Sequence, residues 1–217
     1  SSKAHIVPNG WEPDYFVSRQ RDIAMVRPRD ATPLRIAHVG NLAGHTPPHD
    51  FLNSLQQFLT DEPEWRSRIR VQFIGRRSPG PDNALRTFKF PEVIEVVDHV
   101  GKRDANRLMQ DSDILLLIAI PDLERYLPGK LFDYLAARRP ILVFGSRGES
   151  SALVDRLGAG VLCQPGSGAA LRDALATLQK PEMLRQDDSV PDWLREHRRE
   201  ALASRVFDIM ENIAVRT

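Results

Sequence analysis

Lys130 and Asp133 are the two residues whose types and spacing most clearly suggest chemistry. They lie in the segment PGKLFDYLAARRP, residues 128–140. If this segment is helical, Lys130, Asp133 and Ala137 fall on one face, and Pro128 suits the first turn, where a missing N–H costs nothing. The amino terminus of a helix attracts anions through its unpaired amides and its dipole. Because a lysine adds a full positive charge there, the pattern predicts a phosphate site.

Asp133 follows Lys130 by three residues and offers a different kind of contact. Its carboxylate could accept hydrogen bonds from two neighbouring hydroxyls, as on a ribose. A second interpretation is that Lys130 and Asp133 form an ion pair on the helix surface, which would stabilise the helix and bind nothing. Spacing alone leaves both interpretations open.

Apolar runs of strand length alternate with helical patterns through the middle of the chain. The run DILLLIAI at 113–120 is almost wholly apolar, as expected of a strand that is buried on both faces. This alternation predicts the α/β class, with an open, doubly wound, mostly parallel Rossmann-like sheet flanked by helices. The predicted strands are 34–40, 69–75, 93–101, 113–120, 141–145 and 160–164, and the predicted helices are 49–59, 103–112, 128–140, 148–158 and 168–178.

Residues 32–180 account for one such domain, and two segments flank it. Residues 1–31 are charged and irregular after an opening AHIVPNGWEPDYF. Residues 181–217 predict one long amphipathic carboxy-terminal helix that needs another surface to cover. The apolar set of that helix is Trp193, Leu194, Ala201, Leu202, Val206, Phe207, Ile209, Met210 and Ile213.

The loop after the first strand, GNLAGHTPPHD, lies where ligands bind in a sheet of this kind. It is neither a dinucleotide-binding G-x-G-x-x-G motif nor a Walker A motif, and it lacks the acidic pair of a receiver domain. Gly40 and Gly44 allow backbone amides to approach an anion. His45 and His49 are separated by two prolines, so we do not expect them to share a helical face and bind a metal.

Composition excludes several classes of function. The formal net charge of +1 gives no sign of a nucleic-acid partner. The single cysteine, Cys163, rules out a disulfide within the chain and fits a reducing compartment. No apolar run approaches the roughly 18 residues of a membrane span, and no signal-peptide pattern opens the chain. We therefore expect a cytoplasmic location, with the full-length protein at most peripheral to the inner face of the membrane.

Several segments together resemble one family over nearly the whole chain. They are HIVPNGWEPDYF, HVGNLAG, DHVGKRDANRLMQDSDILLL, LPGKLFDYLAARRPILVF and ALVDRLGAGVLCQPGSGAAL. Their order is similar to that in the carboxy-terminal half of retaining glycosyltransferases of GT-B fold, of the bacterial group 1 (family four) class. PGKLFDYLAARRPIL, followed by the glycine–glutamate turn at Gly148 and Glu149, is the most specific part.

The resemblance implies that this domain binds a nucleotide-diphosphate sugar. It places the donor against residues of three strand-end segments: Gly40, Asn41 and Gly44; Gly101, Lys102 and Arg103; and Pro128, Gly129, Lys130, Leu131 and Asp133. Asp133 takes the place of the glutamate that grips the donor ribose, and residues 101–103 match the loop around the nucleobase. No cofactor and no metal are implied, because the helix dipole and basic side chains stabilise the departing diphosphate. Lys130 is the only residue to which we give that role, and the other catalytic residues are unknown.

The sequence departs from the family pattern at three further places. The partner glutamate of the ribose carboxylate would fall on Arg125, with Glu124 one position away. The arginine and lysine of the first strand-end loop fall near Asn41 and Pro47. Neutralisation of the phosphates would then depend on Lys130, on the loop amides, and on a choice among the basic residues Arg76, Arg77, Lys102 and Arg103.

The resemblance begins where the two domains of the family meet. It implies that residues 1–31 are an interdomain segment, that 181–217 cross back to the amino-terminal domain, and that the chain, which begins with Ser1, is one half of an enzyme. Its partners would be a nucleotide sugar, the amino-terminal domain, and an acceptor glycan or lipid-linked sugar for cell-surface polysaccharide synthesis. We expect transfer with retention by the whole protein and no turnover by this half. An epimerase or hydrolase of the same architecture and a non-catalytic interaction module remain as alternatives.

Overall fold

A six-stranded parallel sheet forms the centre of the protein, in a computed structural model that describes residues 5–16, 33–43, 46–119, 121–180, 183 and 192–214. The strand order is β3-β2-β1-β4-β5-β6, and every neighbouring pair is parallel. This confirms the predicted doubly wound α/β class. The strands are β1 Leu34–Val39, β2 Ile69–Ile74, β3 Ile94–Val97, β4 Ile114–Ala119, β5 Ile141–Gly145 and β6 Gly160–Cys163.

Helices cover both faces of the sheet and connect its strands. They are α1 His49–Asp61, α2 Trp65–Arg68, α3 Pro79–Arg86, α4 Lys102–Asp111, α5 Gly129–Ala137, α6 Glu149–Arg156, α7 Gly168–Leu178, α8 Asp192–Glu196 and α9 Arg199–Ala214. Sequence reasoning missed α2 and α3, because the first has a single turn and the second contains two prolines and a glycine at its start. None of the helices that the structure describes is long and apolar enough to cross a bilayer.

Two apolar clusters fill the space between the sheet and the helices. One contains Phe51 of α1, Leu171 of α7 and the inward side chains of β1 and β2 on that face. The other contains Phe132 and Tyr134 of α5, together with residues of α4 and α6. The central strand β4 contributes alternate residues to both clusters, which explains its nearly continuous apolar sequence.

The strand order reverses between β1 and β4, and this reversal determines where a ligand can bind. The chain builds β1, β2 and β3 outward in one direction and then returns to place β4 on the other side of β1. The connections after β1 and β4 therefore diverge to opposite faces and leave a crevice at the carboxyl ends of these two strands. Gly40, at the end of β1, and the start of α5, which follows β4, both lie at this edge.

The amino-terminal segment, residues 5–16, packs against the helices at the carboxy terminus. The Trp11 side chain is 4% exposed, and its indole Nε1 donates a hydrogen bond of 2.7 Å to the Leu194 carbonyl. The Trp11 backbone also pairs with the loop between α8 and α9, accepting from the Arg199 amide at 3.0 Å. The amino-terminal segment and the first part of the carboxy-terminal segment thus pack together beside α5.

The carboxy-terminal segment differs from the single long helix expected from sequence. The structure divides it into α8 and α9, with a break at His197 and Arg198, where Trp11 pairs with the backbone. On the α8 side, the Phe132 ring stacks on Trp193 and on His197 at centroid distances of 5.8 and 5.7 Å. The break therefore lets the first part of the segment support α5 while α9 continues outward. Residues 1–4, 17–31, 181–182, 184–191 and 215–217 of the predicted flanks lie outside the described residues.

Replacing Trp11 by alanine should release this terminal packing. We expect a loss of about 3 to 5 kcal/mol in the free energy of unfolding, because a buried indole is removed and a cavity remains. Trp11→Phe, which keeps most of the ring but loses the hydrogen bond to Leu194, should cost about 1 to 2 kcal/mol. Urea denaturation measures both values. Amide exchange should accelerate more at Leu202 of α9 than at Val143 of β5. Equal acceleration at both amides would contradict a local role for Trp11.

Candidate functional site

The side chain of Lys130 reaches from the start of α5 across the carboxyl edge of the sheet. Its Nζ lies 3.2 Å from Nε2 of His38, a residue of β1. On the way it passes Gly40, where an added Cβ would lie 3.0 Å from both Cε and Nζ of the lysine. Gly40 also has a φ of +129°, which side-chain-bearing residues rarely adopt. The glycine at the end of β1 is therefore required both by the backbone turn and by the path of Lys130.

His38 is a buried neutral base in this arrangement. The ring is 1% exposed, and its Nδ1 lies 3.0 Å from the Leu116 carbonyl of β4. A carbonyl only accepts, so Nδ1 carries the hydrogen and Nε2 presents its lone pair to the Lys130 ammonium. Burial, together with the charge of Lys130, holds the pKa of His38 well below its usual value. The imidazole therefore stays uncharged at neutral pH and accepts a hydrogen bond from the lysine.

Lys130 itself is only partly exposed, and this changes its acid strength. Burial lowers the pKa of Lys130 from 10.5 to about 8. The lysine is still mostly protonated at pH 7. A bound anion would raise its pKa again and so favour the protonated, charged form. A partly buried ammonium of this kind interacts more strongly with an anion than a fully solvated one does, since less water screens it.

Tyr134 fixes the position of α5 relative to β1 and β4. Its hydroxyl oxygen accepts a hydrogen bond of 2.7 Å from the Val39 amide and lies 3.1 Å from the Val39 carbonyl. The same hydroxyl lies 3.3 Å from the Leu116 carbonyl, to which His38 also donates. Burial raises the pKa of Tyr134, so the hydroxyl remains neutral. These contacts lock the helix that carries Lys130 to the ends of the two central strands.

Asp133 pairs with a different lysine from the one that sequence spacing suggested. Its Oδ2 lies 2.5 Å from Nζ of Lys102, at the start of α4, and its side chain is 14% exposed. Burial raises the pKa of Asp133, and the nearby charges of Lys102 and, more weakly, Arg199 oppose that change. The interpretation in which Lys130 and Asp133 pair with each other on the helix surface is therefore wrong, because each side chain binds a residue from another element.

The other residues of the predicted site are distributed around the same crevice. Gly101 precedes α4, and Lys102 and Arg103 begin it with exposed side chains. Asn41 is exposed beside Gly40, whereas Gly44 and His45 lie outside the described residues.

Three further predicted residues lie in the first turn of α5 or just before it, and they differ in burial. Pro128 precedes the helix in an extended conformation and Gly129 begins it. Leu131 is fully buried in the core. It therefore supports the site from behind the helix and has no exposed surface for a ligand in this structure.

Sequence reasoning missed two residues that contact the first residues of α5, Asn9 and His38. The side chain of Asn9, from the amino-terminal segment, lies against Gly129, where an added Cβ would be 3.1 Å from its Nδ2. His38 was missed because a histidine inside an apolar strand looks like a core residue. The signal available in the sequence was its place two residues before Gly40, at the end of a strand next to the crevice.

Arg77 has a structural role that competes with the phosphate contact considered for it. Its guanidinium donates to Asp82 at 3.0 Å and to Asp98 at 2.7 Å. It also donates to the backbone carbonyls of Gly75 and Val97, at the ends of β2 and β3. Arg77 thus ties two strand ends together, whereas Arg76 beside it is exposed.

The glycine–glutamate turn also belongs to this edge of the sheet. The Glu149 amide, at the start of α6, donates a 2.7 Å hydrogen bond to the Glu124 carbonyl in the loop after β4. An added Cβ at Gly148 would lie 2.5 Å from the same carbonyl, so the loops after β4 and β5 meet closely here. Within the described part of the chain, no group of three or more His, Cys, Asp or Glu side chains could hold a metal ion.

Solved structures of similar fold span about twice the length of this chain. WaaG, a glycosyltransferase involved in lipopolysaccharide biosynthesis, matches with a TM-score of 0.63 at 18% identity, over 91% of this chain and 51% of its own. An α,α-trehalose-phosphate synthase (UDP-forming) from Burkholderia vietnamiensis matches with a TM-score of 0.71 at 16% identity, over 97% and 52%. MnaA of S. aureus, solved with UDP, matches with a TM-score of 0.63 at 9% identity, over 92% and 50%.

Sequence comparison gives the family more directly. No curated protein sequence matches the chain significantly. Residues 33–180, which contain all six strands and the helices α1 to α7, match the family described as glycosyl transferases group 1. This is the family that the order of strand-end motifs resembled. The chain belongs to the glycosyl transferases group 1 family.

Proposed function

We propose that this chain is the donor-binding domain of a glycosyltransferase that uses a nucleotide-diphosphate sugar. The observation that carries the proposal is the Lys130 ammonium, held 3.2 Å from His38 at the crevice between β1 and β4. An ammonium at a helix start, next to a glycine turn, suits the two phosphates of such a donor. The likeness in fold to MnaA, which was solved with UDP, supports the same ligand class.

In the proposed complex, the diphosphate lies between the start of α5 and the turn at Gly40. Lys130 supplies the positive charge, and the backbone amides of both segments supply hydrogen bonds. When the bond from the sugar to the diphosphate breaks, negative charge develops on the departing oxygen, and Lys130 together with the helix dipole stabilises it. This stabilisation requires no metal ion, and we propose that donor binding is metal-independent.

Asp133 and Lys102 form the second half of the proposed site. Their ion pair joins Asp133, in the middle of α5 and about one turn from Lys130, to Lys102 at the start of α4. We propose that the Asp133 carboxylate accepts hydrogen bonds from the ribose hydroxyls while Lys102 keeps it charged. The segment from Gly101 to Arg103 would then face the nucleobase. In this arrangement the ribose binds between the two helices, one turn away from the phosphates.

We further propose that the acceptor binds to a second domain of the whole protein. The chain spans about half the length of the matched solved structures, 51% of WaaG and 52% of the trehalose-phosphate synthase. The exposed face of α9 supports this proposal, because its large apolar side chains need a surface to cover them; they are Val206, Phe207, Met210 and Ile213. The likeness to WaaG suggests a glycan or lipid-linked acceptor, and transfer would proceed with retention. This half alone should bind the donor without turning it over.

Removing the charge of Lys130 should weaken diphosphate binding specifically. We expect Lys130→Met to reduce the affinity for UDP or GDP, whichever binds, about ten- to a hundredfold, and to leave nucleoside affinity nearly unchanged. Calorimetry with UDP, GDP, ADP and the matching nucleosides measures both values, with and without a chelator. Lys180→Met is the matched control, since that exposed lysine follows α7 at the opposite edge of the sheet.

Several outcomes would argue against the proposal. Binding of none of the nucleotides would favour the alternative of a non-catalytic module. Binding only with added Mg²⁺ or Mn²⁺ would contradict the metal-independent site. An assay of the full-length protein for glycoside, epimer or free sugar separates transfer from the epimerase and hydrolase alternatives.

Replacing Asp133 should affect the ribose and spare the phosphates. We expect Asp133→Ala to weaken ribonucleotide binding about three- to thirtyfold, and to change the affinity for the 2′,3′-dideoxy analogue little, because that analogue has no hydroxyls to lose. Asp133→Asn keeps an acceptor and should show a smaller loss. Equal losses for the ribonucleotide and the dideoxy analogue would show that Asp133 acts only through its ion pair with Lys102.

The burial of Lys130 should cost stability at neutral pH. Burial lowers the pKa of Lys130 from 10.5 in the unfolded chain to about 8 in the folded one. Between these two pH values the unfolded chain therefore binds a proton that the folded chain has lost. Because of this difference, the cost of burying Lys130 falls as the pH rises from 8 to about 10.5. At pH 7 we expect Lys130→Met to be more stable than the natural chain by about 1 to 3 kcal/mol. Urea denaturation should show that advantage shrinking between pH 8 and pH 10. A difference that stays constant with pH would contradict the lowered pKa.

A further inference from the structure

The path of Lys130 across the sheet edge raises the question of what holds its ammonium in place. His38 and Ile36 are two residues apart in β1 and lie on the same face of the sheet, the one covered by α1. On that face the His38 ring lies 6.1 Å from the ring of Phe73. Lys130 comes from α5, which covers the opposite face. The side chain reaches His38 over the end of β1, through the space that Gly40 leaves open.

The partner of Lys130 is unusual in its charge. A buried ammonium more often pairs with a carboxylate, which cancels its charge. Nε2 of His38 instead accepts a hydrogen bond of 3.2 Å as a neutral group. The imidazole cannot rotate to donate to the lysine, because Nδ1 is held by the Leu116 carbonyl at 3.0 Å. The ammonium is therefore oriented while its full positive charge is kept.

The surroundings of His38 keep the imidazole in this state. From β2 it is faced by the apolar ring of Phe73, and from β4 by the Leu116 carbonyl. The backbone of Asn41 also lies within hydrogen-bonding range of the ring, and the backbone contacts with Leu116 and Asn41 raise the pKa of His38 against the larger, opposite effect of burial. From α5 it is faced by Lys130, and the neutral Tyr134 hydroxyl lies by the same Leu116 carbonyl. Lys130 is thus the charged group that acts on His38, and its charge opposes protonation of the ring.

We propose that His38 is a positioning residue for the diphosphate site, whose Nε2 lone pair orients the Lys130 ammonium toward the crevice without neutralising it. This inference rests on the proposed function, in which Lys130 binds the donor diphosphate. A flexible lysine loses conformational freedom when it binds an anion. An acceptor that holds the ammonium before the ligand arrives reduces that loss, so part of the affinity for diphosphate comes from His38.

Three substitutions separate orientation from packing. His38→Gln offers an amide oxygen near the position of Nε2 and should retain nearly the natural ratio of UDP to uridine affinity. His38→Phe keeps a buried ring without an acceptor, and should lower that ratio about three- to tenfold, the loss expected for one hydrogen bond. His38→Glu restores an acceptor but cancels the charge, so it should lower the ratio at least as much. Uridine affinity should stay constant in all three, since His38 does not face the nucleoside.

A pH series adds a readout that a purely structural residue would not change. In the natural chain, the UDP affinity should fall about tenfold from pH 7 to pH 9, as Lys130 loses its proton in the free protein. In His38→Glu, the carboxylate should hold that proton, and the fall should begin at higher pH. An unchanged pH profile in His38→Glu, together with an unchanged affinity ratio in His38→Phe, would overturn the inference.

The failure of this inference differs from the failure of the proposed function. If Lys130→Met leaves UDP binding unchanged, the proposed diphosphate site is wrong. If Lys130→Met weakens UDP binding while His38→Phe does not change the ratio, the site stands and the role of His38 is wrong. In the Lys130→Met background, His38→Phe should have no further effect on the ratio.

A measurement on the natural chain covers the case in which a variant fails to fold. Nitrogen NMR of ¹⁵N-histidine-labelled protein should show His38 as a neutral ring with hydrogen on Nδ1 at pH 6.5, where an ordinary histidine would be half protonated. Its Nε2 resonance should shift on addition of UDP, and uridine should leave it unchanged. A ring with hydrogen on Nε2, or one that titrates near pH 6.5, would overturn the inference.

Discussion

An ammonium group placed at the carboxyl ends of β1 and β4 is the constraint on which the site depends. Lys130 begins in a helix on one face of the sheet and meets its partner, His38, on the other. This path requires a glycine at position 40, a neutral acceptor at the end of β1, and a helix whose start cannot move away from the strand ends. Tyr134 meets the last requirement through the Val39 backbone. These contacts together hold the Lys130 ammonium at the carboxyl edge of the sheet.

Support for that helix comes from distant parts of the chain. Phe132, two residues after Lys130, stacks on Trp193 and His197 of the carboxy-terminal segment. Trp11 in turn ties that segment to the amino-terminal residues, and Asn9 brings them to the start of α5. The two flanking segments therefore support the helix that carries Lys130 and Asp133. A change in the packing of these segments would therefore shift the positions of Lys130 and Asp133.

The sequence was informative wherever a local pattern determined the structure. The apolar strand 113–120 and the alternation of strands and helices predicted the sheet, because parallel strands buried on both faces have few alternatives. The helix at 129–137 was also predictable, from Pro128 and the spacing of Lys130. Partners across the sheet were not, since nothing in the order of residues shows that His38 reaches Lys130 or that Lys102 reaches Asp133. Those contacts depend on the reversal of strand order. It brings together His38 and Lys130, which are 92 positions apart in the sequence, and Lys102 and Asp133, which are 31 positions apart.

In the proposed site, a donor diphosphate binds beside Lys130, and burial lowers the pKa of this lysine to about 8. A diphosphate would raise the pKa again, so binding at pH 8 should draw about half a proton per site from solution. Calorimetric titration with UDP, or with whichever nucleoside diphosphate binds, in buffers of different ionisation enthalpy measures that proton directly. We predict uptake by the natural chain at pH 8, little uptake at pH 6.5, and none in Lys130→Met. Binding at pH 8 without proton uptake, or with equal uptake in Lys130→Met, would contradict the account.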